Sequence, residues 1–384
     1  MKKNDLAKNT ILLGVGTVLT KGLLFVMVPF FSRWLSAEDY GTFDLLCTYA
    51  TLMIPIISLA CGEAIFRFSI DTNDKNDIDK YISNGLGIIC INMALVSSII
   101  FLIKYYTGWK MALPFLLLII GEILNSHLQS FLRSIKKLNI YSLCNAFSVV
   151  LISILVTFFV KKLELGLSGI VYGYGLGYIL GDLIIIMIAK YYNYLNLRLI
   201  SFSEMKNLIK YSYPLIANSI SWWIMNISDR LIINMVMGSL ANGIYAISNK
   251  IPAICSSVFS VFNISWQQTA SELINEGNIR ERNRFFCETY NTVFKTLLSL
   301  CIGILSLNFI FFEYVFDSRY YEGRLYSPIL ITSIIFMILS QFYGGIQISL
   351  KMPKENGKTT VIGCLLYTSP SPRDLSTSRM PSSA

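Results

Sequence analysis

Residues 167–189 read LSGIVYGYGLGYILGDLIIIMIA, an apolar stretch with a single charged residue, Asp182. A helix of this length rises about 35 Å, which is enough to cross the roughly 30 Å hydrocarbon core of a bilayer. Its glycines at 169, 173, 177 and 181 recur every four residues, so they form one stripe that predicts close packing against another helix. A dinucleotide-binding loop would need a preceding strand, and the sequence has none here. The stretch therefore predicts a transmembrane helix.

Similar windows recur along the whole chain, which is 54% hydrophobic and 14% charged, with a mean hydropathy of +0.57. This amino-acid composition is more apolar than a soluble domain needs for its core. The other windows are Thr10–Ser32, Gly41–Phe66, Tyr81–Ile103, Met111–Leu132, Tyr141–Val160, Tyr211–Met237, Gly243–Thr269, Glu288–Phe312 and Ser327–Leu350. We therefore predict an all-α integral membrane protein with about ten complete spans.

Lysine and arginine are distributed unevenly over the connecting segments. Cytoplasmic loops of membrane proteins carry an excess of these residues. With the N-terminus placed in the cytoplasm, the inner segments hold nineteen of them. The outer segments hold only Arg33, Lys104, Lys110, Lys161, Lys162, Arg319 and Arg324. We therefore predict a cytoplasmic N-terminus, and we attribute the net charge of +9 to topology and not to nucleic-acid binding.

The longest basic connection among the first eight windows divides the chain into two lobes. We predict an N-terminal six-helix lobe at 1–192, a cytoplasmic linker at 193–210 and an incomplete C-terminal lobe at 211–364. A shift of 202 residues places Gly41-Thr42-Phe43 on Gly243-Ile244-Tyr245, which indicates a weak internal repeat. Since six spans precede the second lobe, both lobes start on the same side of the membrane. The repeats should then be parallel, with a central cavity between them.

The end of the chain has a different composition. Thr359–Tyr367 begins an eleventh apolar window, which stops at a segment rich in Ser, Thr and Pro. Such a segment cannot span a membrane. We expect residues 365–384 to be a non-native tail that replaces the natural end, leaving the eleventh span truncated.

Charged residues inside the windows are the candidate functional residues, because each costs at least about 2.5–3.5 kcal/mol at mid-membrane unless it faces protein or water. They are Lys21, Glu122, Asp182, Asp229, Arg230, Lys250 and Lys295. In a cavity between the lobes, Lys21, Arg230 and Lys250 would attract an anionic substrate, and Arg230 could bind a phosphate in bidentate fashion. Glu122, Asp182 and Asp229 are candidates to carry a coupling proton or sodium ion.

The same residues have a structural alternative. The cations could pair with Glu122, Asp182 or Asp229 and only hold helices together. Asp229 and Arg230 point about 100° apart on a helix, so they cannot both face one partner in the same way. The only histidine, His127, could relay protons, but a packed, hydrogen-bonded histidine is the favoured interpretation.

Three stretches together resemble one known family. They are Pro29-Phe-Phe-Ser-Arg-Trp-Leu-Ser-Ala-Glu-Asp-Tyr-Gly-Thr-Phe43; Asp229-Arg230 with Gly238 and Gly243-Ile244-Tyr245; and the segment from Phe316 to Tyr321. They resemble the polysaccharide biosynthesis/O-antigen (Wzx-type) flippase family of the superfamily that also contains multidrug and toxin extruders (MATE) and the lipid II flippase. The resemblance covers about residues 5–364.

This resemblance implies two helical bundles in a MATE-like V and transport by alternating access. The substrate it implies is an undecaprenyl-diphosphate-linked oligosaccharide of O-antigen, capsule or exopolysaccharide, moved from the inner to the outer leaflet of a bacterial cell membrane. The family has cationic cavity residues, a role that we assign only to Lys21, Arg230 and Lys250. The partners implied are the lipid-linked oligosaccharide, membrane lipid, and polysaccharide polymerases and glycosyltransferases.

Two other functions are considered. A cation-coupled multidrug exporter should favour acidic groups in its cavity, because its substrates are mostly cationic. A membrane glycosyltransferase or polymerase should have an extended outer loop or a carboxylate cluster near the interface, and the sequence has neither. The eight cysteines form no CxxC pair, so no disulfide framework or zinc site is indicated. We expect a transporter without catalytic residues, cofactor or metal.

Overall fold

The computed structural model describes residues 20–72, 74–135, 137–275, 279–350 and 362. Within these ranges the chain is helical and has no strand, as the apolar windows predict. The start of the first window, most of the eleventh window and the predicted tail at 365–384 lie outside the described residues.

The first half of the chain is a series of helices joined by short turns. Helix α1 occupies residues 20–34 of the described chain. It is followed by α2 (Ala37–Ser58), α3 (Cys61–Asp71), α4 (Lys75–Thr107), α5 (Ala112–Ser134), α6 (Leu138–Val156) with a π-helical turn at Thr157–Lys162, and α7 (Gly166–Ala189). The predicted window Gly41–Phe66 is broken, because Leu59 and Ala60 have φ angles of 48° and 52°. It therefore forms two helices instead of one.

The predicted linker at 193–210 is held against α4. It contains part of the 3₁₀ turn Tyr191–Tyr194 and the turn Leu197–Leu199. Nδ2 of Asn84 in α4 donates to the carbonyl oxygen of Leu199 at 2.9 Å, and Oδ1 of Asn84 accepts from the backbone N–H of Ser201 at 2.9 Å. The second half of the chain therefore starts from a fixed position. The lobe boundaries themselves stay a prediction.

The long segment Phe202–Asn275 is helical except at Gly238, where φ is 87° and ψ is 176°. The Tyr245 hydroxyl donates to Asp229 across this break, although 16 residues of straight helix would separate the two by about 24 Å. The chain therefore reverses at Gly238. We treat residues 202–237 as α8 and residues 239–275 as α9. They are followed by α10 (Ile279–Ile310), a π-helical turn (Phe311–Val315) and α11 (Gly323–Ser349).

Several helices are long and apolar enough to cross a membrane. In the described residues eight stretches qualify: Ala37–Ser58, Lys75–Thr107, Ala112–Ser134, Asn139–Lys162, Gly166–Ala189, Ile227–Ser260, Ile279–Val315 and Gly323–Gln347. Ile227–Ser260 contains the reversal at Gly238, so it joins parts of α8 and α9 and is not one straight span. The chain is a multi-pass membrane protein.

Helices α2 and α9 cross with their backbones in contact at Gly41 and Gly243, which we call the glycine crossing. A methyl group on Gly41 would lie 2.7 Å from the backbone nitrogen of Gly243 and would overlap the carbonyl oxygen of Ser239. A methyl group on Gly243 would overlap the carbonyl oxygen of Ala37. The Asn242 side chain adds a 2.9 Å hydrogen bond to the carbonyl oxygen of Gly41. No residue larger than glycine fits at this crossing without moving a helix.

The glycine crossing joins residues that are equivalent under the internal repeat. The 202-residue shift places Gly41 on Gly243 and Ala37 on Ser239. The overlap of Gly41 with Ser239 is therefore equivalent to the overlap of Gly243 with Ala37. The turn at Ser36 falls on the break at Gly238 under the same shift. Equivalent residues that touch each other are expected at an axis relating two parallel repeats.

The glycine stripe of α7 packs closely against α6, as predicted. A methyl group on Gly173 would lie 2.8 Å from the Cα of Val156, and one on Gly177 would lie 2.8 Å from the Cα of Ile152. Small residues let two membrane helices approach in this way and gain dispersion contacts along the backbone.

We expect Gly173→Val to lower the free energy of unfolding by about 1–3 kcal/mol, because the added methyl groups must push α6 away from α7. The measurement is thermal unfolding of the detergent-solubilised protein. Gly303→Ala in α10 is the matched control, since no atom lies within 4 Å of its added methyl group, and it should leave the unfolding midpoint unchanged or slightly higher. Equal effects of the two substitutions would contradict the packing argument.

Candidate substrate site

A groove of about 410 Å³ lies between α1, α2, α7 and α9. Two predicted cavity cations line it: Lys21 comes from α1 and Lys250 from α9. Its described lining contains no Asp or Glu. We call this site the lysine groove. It combines side chains from both halves of the sequence.

The walls of the lysine groove are aromatic and aliphatic. The ring centroid of Tyr174 lies 4.9 Å from that of Phe43 and 6.4 Å from that of Phe31. Tyr40 and Val28 also contribute to the wall. Apolar walls with two fixed positive charges suit an amphiphile that carries an anionic group.

The two lysines differ in their surroundings. Lys21 is exposed, whereas Lys250 is half-buried and lies close enough to Asp44 and Arg230 for both charges to act on it. Neither lysine forms an ion pair within 4.0 Å with a carboxylate of the described residues. Their ammonium groups are therefore available to a ligand in the groove.

The third predicted cavity cation, Arg230, lies outside the residues that line the lysine groove. Its Nη1 lies 3.3 Å from Oδ1 and 3.2 Å from Oδ2 of Asp44 in α2. The side chain of Asp44 is only 7% exposed, whereas that of Arg230 is 21% exposed, so the carboxylate of the pair is shielded from water. Arg230 is thus paired with a carboxylate that the sequence analysis did not name, and its role in substrate binding stays a prediction. A carboxylate inside the apolar window Gly41–Phe66 was the signal that could have identified Asp44.

Asp229 has a different partner from its neighbour, as the helical geometry predicts. The hydroxyl of Tyr245 in α9 donates to Oδ2 of Asp229. Oδ1 has no hydrogen-bond partner in the described part of the chain. Adjacent residues of α8 therefore connect this helix to two other helices.

A second predicted carboxylate lies deep in the first half of the chain. Asp182 in α7 is fully buried, and its Oδ1 accepts from Asn125 at 2.8 Å. Asn125 in turn accepts from Gln129, which also donates to Asn145 at 3.1 Å and accepts from the Tyr141 hydroxyl at 3.1 Å. We call these five residues the carboxylate–amide network. It joins α5, α6 and α7.

The carboxylate–amide network is incompletely satisfied. Oδ2 of Asp182 has no hydrogen-bond partner among the described residues, and the same holds for Oε2 of Glu122, one helical turn before Asn125. A buried carboxylate without partners is stabilised by a proton or a bound cation. The arrangement can therefore hold either of them.

His127 is packed in the protein interior. It is 3% exposed, and its Nε2 lies 2.7 Å from the Tyr191 hydroxyl. This contact confirms the interpretation of a packed, hydrogen-bonded histidine.

A set of contacts ties the α1–α2 turn to the loop before α11. Nη2 of Arg319 donates to the carbonyl oxygens of Ser32 and Arg33 at 3.1 and 3.2 Å. Asp317 accepts from Nε of Arg319 at 2.7 Å, and this hydrogen bond lowers the pKa of Asp317 below its ordinary value. The ring of Tyr320 packs edge-on against Tyr40, with centroids 6.2 Å apart. These contacts lie at the same end of the molecule as the glycine crossing.

One sequence family matches most of the chain. The family model "Polysaccharide biosynthesis protein" matches residues 6–266. No curated protein matches the sequence.

Solved structures with a similar fold are transporters. A multidrug resistance MATE family transporter of the MOP superfamily matches in its inward-facing conformation with a TM-score of 0.62 and 14% identity, over 94% of this chain and 84% of the other. The outward-facing conformation of such a transporter matches with a TM-score of 0.62 and 13% identity, over 93% and 85%.

A MOP superfamily transporter from Pyrococcus furiosus matches with a TM-score of 0.61 and 13% identity, over 93% and 85% of the two chains. It is described as having a binding pocket of reverse polarity that suggests a different function. At these identities the likeness establishes a MATE-like fold.

We expect Asp44→Asn to destabilise the protein by about 1.5–3 kcal/mol, because it leaves the half-buried guanidinium of Arg230 without its counter-charge. The double variant Asp44→Asn/Arg230→Gln should lose less than the sum of the two single variants. A double-mutant cycle on thermal unfolding measures this difference. The exposed pair Arg284–Glu288, 2.8 Å apart, is the control and should give no measurable coupling. Additive losses at Asp44 and Arg230 would contradict the pairing.

Proposed function

Because the chain belongs to the polysaccharide biosynthesis protein family, we propose that it is a flippase for undecaprenyl-diphosphate-linked oligosaccharide repeat units. It moves them from the inner to the outer leaflet of the bacterial inner membrane. The reaction is transport, and no bond of the substrate is made or broken. The N-terminus lies in the cytoplasm, and polysaccharide polymerases and glycosyltransferases are its functional partners.

The lysine groove is the observation that carries this proposal. A diphosphate linker is strongly anionic, and an ammonium group binds phosphate oxygens through charge-assisted hydrogen bonds. Lys21 and Lys250 approach the groove from α1 and α9, so one diphosphate can contact both halves of the protein. The aromatic and aliphatic walls suit the first isoprene units, while the rest of the prenyl tail stays in lipid.

Alternating access gives the glycine crossing its role in transport. With a cytoplasmic N-terminus, the α1–α2 turn faces outward, so the glycine crossing and the Arg319 contacts close the outer end. Opening that end requires these contacts to break, and an anion bound between Lys21 and Lys250 supplies differential binding energy for such a change. Solved transporters of this fold include an inward-facing and an outward-facing conformation, the two states that alternating access needs.

Buried carboxylates are the groups that would bind the coupling proton or sodium ion. Asp182 and Glu122 each keep a buried oxygen without a hydrogen-bond partner in the described chain, and so does Asp229. We assign the main role to Asp182, because its carboxylate–amide network joins three helices and can change when a proton or sodium ion binds.

A cation-coupled multidrug exporter is the second candidate, since multidrug MATE transporters share the fold. Cationic drugs require acidic cavity groups, whereas the charged residues of the lysine groove are both basic. The Pyrococcus furiosus relative, with its pocket of reverse polarity, illustrates that this fold accommodates pockets of different charge. The polarity of the groove therefore favours the anionic lipid substrate.

We expect Lys21→Ala and Lys250→Ala each to reduce flipping about tenfold, because a hydrogen bond to a charged group contributes about 1.5–3 kcal/mol. The measurement is outer-leaflet exposure of the lipid-linked sugar in cells that lack their own flippase. Lys295→Ala, at an exposed lysine of α10, is the matched control and should retain flipping. An exporter of cationic drugs would instead keep or gain drug resistance when either groove lysine is removed.

We expect Asp182→Asn to abolish stimulation of flipping by a proton or sodium gradient while undecaprenyl diphosphate still binds. The substitution preserves shape but removes the group that accepts a proton or cation. Gradient-driven flipping in reconstituted vesicles and lipid binding in detergent measure the two properties. Glu288→Gln, at an exposed carboxylate of α10, is the control and should keep the gradient stimulation. Gradient stimulation that survives Asp182→Asn would exclude this residue as the carrier.

A further inference from the structure

A second groove, of about 500 Å³, lies between α2, α3, α5 and α8. Trp223 of α8 forms part of its wall, so we call it the tryptophan groove. Its described lining includes an ion pair, Glu63 with Arg133, in which Nη2 lies 2.9 Å from Oε1. Ser126 and Gln129 of α5 add further hydrogen-bonding groups. Its volume falls within the ~300–1,000 Å³ range of small-molecule sites.

The internal repeat relates the tryptophan groove to the lysine groove. The 202-residue shift places Thr51, Ile54 and Pro55 of α2 on Ala253, Ser256 and Ser257 of α9. It also places Trp223 and Ile227 of α8 on Lys21 and Phe25 of α1. Every one of these residues lines one of the two grooves. The two grooves are therefore equivalent positions of the two repeats.

The chemistry of the two grooves differs although their positions are equivalent. Where the lysine groove has Lys21, the tryptophan groove has the indole of Trp223. The tryptophan groove also has both charge signs, a carboxamide and several hydroxyls, so it can donate and accept hydrogen bonds on several sides. This mixture suits a neutral polyhydroxy compound better than a diphosphate.

Trp223 is fixed in place by α2. Its Nε1 donates to the carbonyl oxygen of Thr48 at 3.1 Å and contacts Oγ1 of Thr51 at 3.4 Å. The indole N–H is thus already satisfied within the protein. What remains for a ligand is the flat apolar face of the ring, which complements the C–H face of a sugar ring.

The two grooves share helix α2. Phe43 lines the lysine groove and Thr51 lines the tryptophan groove, and eight residues of helix separate positions by about 12 Å. A diphosphate followed by two sugar rings is long enough to reach from one position to the other.

We propose that the tryptophan groove binds the sugar residues of the headgroup, while the lysine groove binds the diphosphate to which they are attached. Trp223 stacks on a sugar ring, and the Glu63–Arg133 pair with Ser126 hydrogen-bonds its hydroxyls. This inference rests on the proposed flippase function and adds a separate glycan subsite to it. Groups in the tryptophan groove then select which glycan is carried.

The test compares two lipids on the purified full-length protein in detergent, with affinities measured by thermophoresis. One probe is the lipid-linked repeat unit extracted from the producing strain, and the other is undecaprenyl diphosphate without sugar. We expect Trp223→Ala to bind the first probe about tenfold more weakly, since it removes the aromatic contact, and the second with unchanged affinity. Trp223→Phe keeps a ring face but loses the Nε1 hydrogen bonds, so it should retain most of the binding.

Further variants separate a binding role from a structural one. Ser219→Phe fills the tryptophan groove from α8 without removing a packed side chain and should also weaken only the first probe. Trp109→Ala, at the α4–α5 turn and outside both grooves, should change neither affinity. Lys250→Ala should weaken both probes.

Three results would overturn the glycan subsite. They are equal weakening of both probes by Trp223→Ala, equal effects of Trp223→Phe and Trp223→Ala, and unchanged affinities with Ser219→Phe. If the wild-type protein binds neither lipid, the proposed flippase function itself fails. Binding of both lipids with equal affinity would leave the flippase function standing and exclude the glycan subsite.

Discussion

The close contact between α2 and α9 at Gly41 and Gly243 is the constraint on which the remaining arrangement depends. The backbones can touch there only because neither residue has a side chain. With the two helices held at this distance, Asn242 reaches the carbonyl oxygen of Gly41, and Asp44, less than one turn further along α2, meets Arg230 of α8. The two repeats are therefore joined at their equivalent points, and the grooves form on either side of that junction.

The energetic cost of an unpaired charge in a low-dielectric interior explains why some ionisable residues form pairs within the protein while others face a groove. A buried charge must be paired or must face water or a ligand. Arg230 satisfies this rule by pairing with Asp44, and Asp182 satisfies it partly through Asn125. Lys21 and Lys250 face a groove without carboxylates in its described lining. In the proposed function, these two lysines bind the anionic substrate.

The repeat supplies two equivalent grooves, and sequence divergence gives them different chemistry. A two-part substrate, with a charged linker and a neutral polar headgroup, matches a pair of sites of which one is cationic and the other is aromatic and mixed in polarity. Gln129 lines the tryptophan groove and also belongs to the carboxylate–amide network around Asp182. A headgroup in that groove and an ion at Asp182 would thus act on the same hydrogen-bonded side chains.

The sequence by itself determined the membrane class, the position of most helices, the parallel repeat and the packing role of the α7 glycines, because these follow from hydropathy and spacing along one chain. It also singled out Lys21 and Lys250, since isolated charges in apolar windows are visible without coordinates. Only the tertiary structure decided that Arg230 pairs with Asp44, that Glu63 meets Arg133, and that Trp223 faces a groove. The physical reason is that each of these contacts joins residues 70 or more positions apart, and side-chain distances across helices depend on how the helices cross.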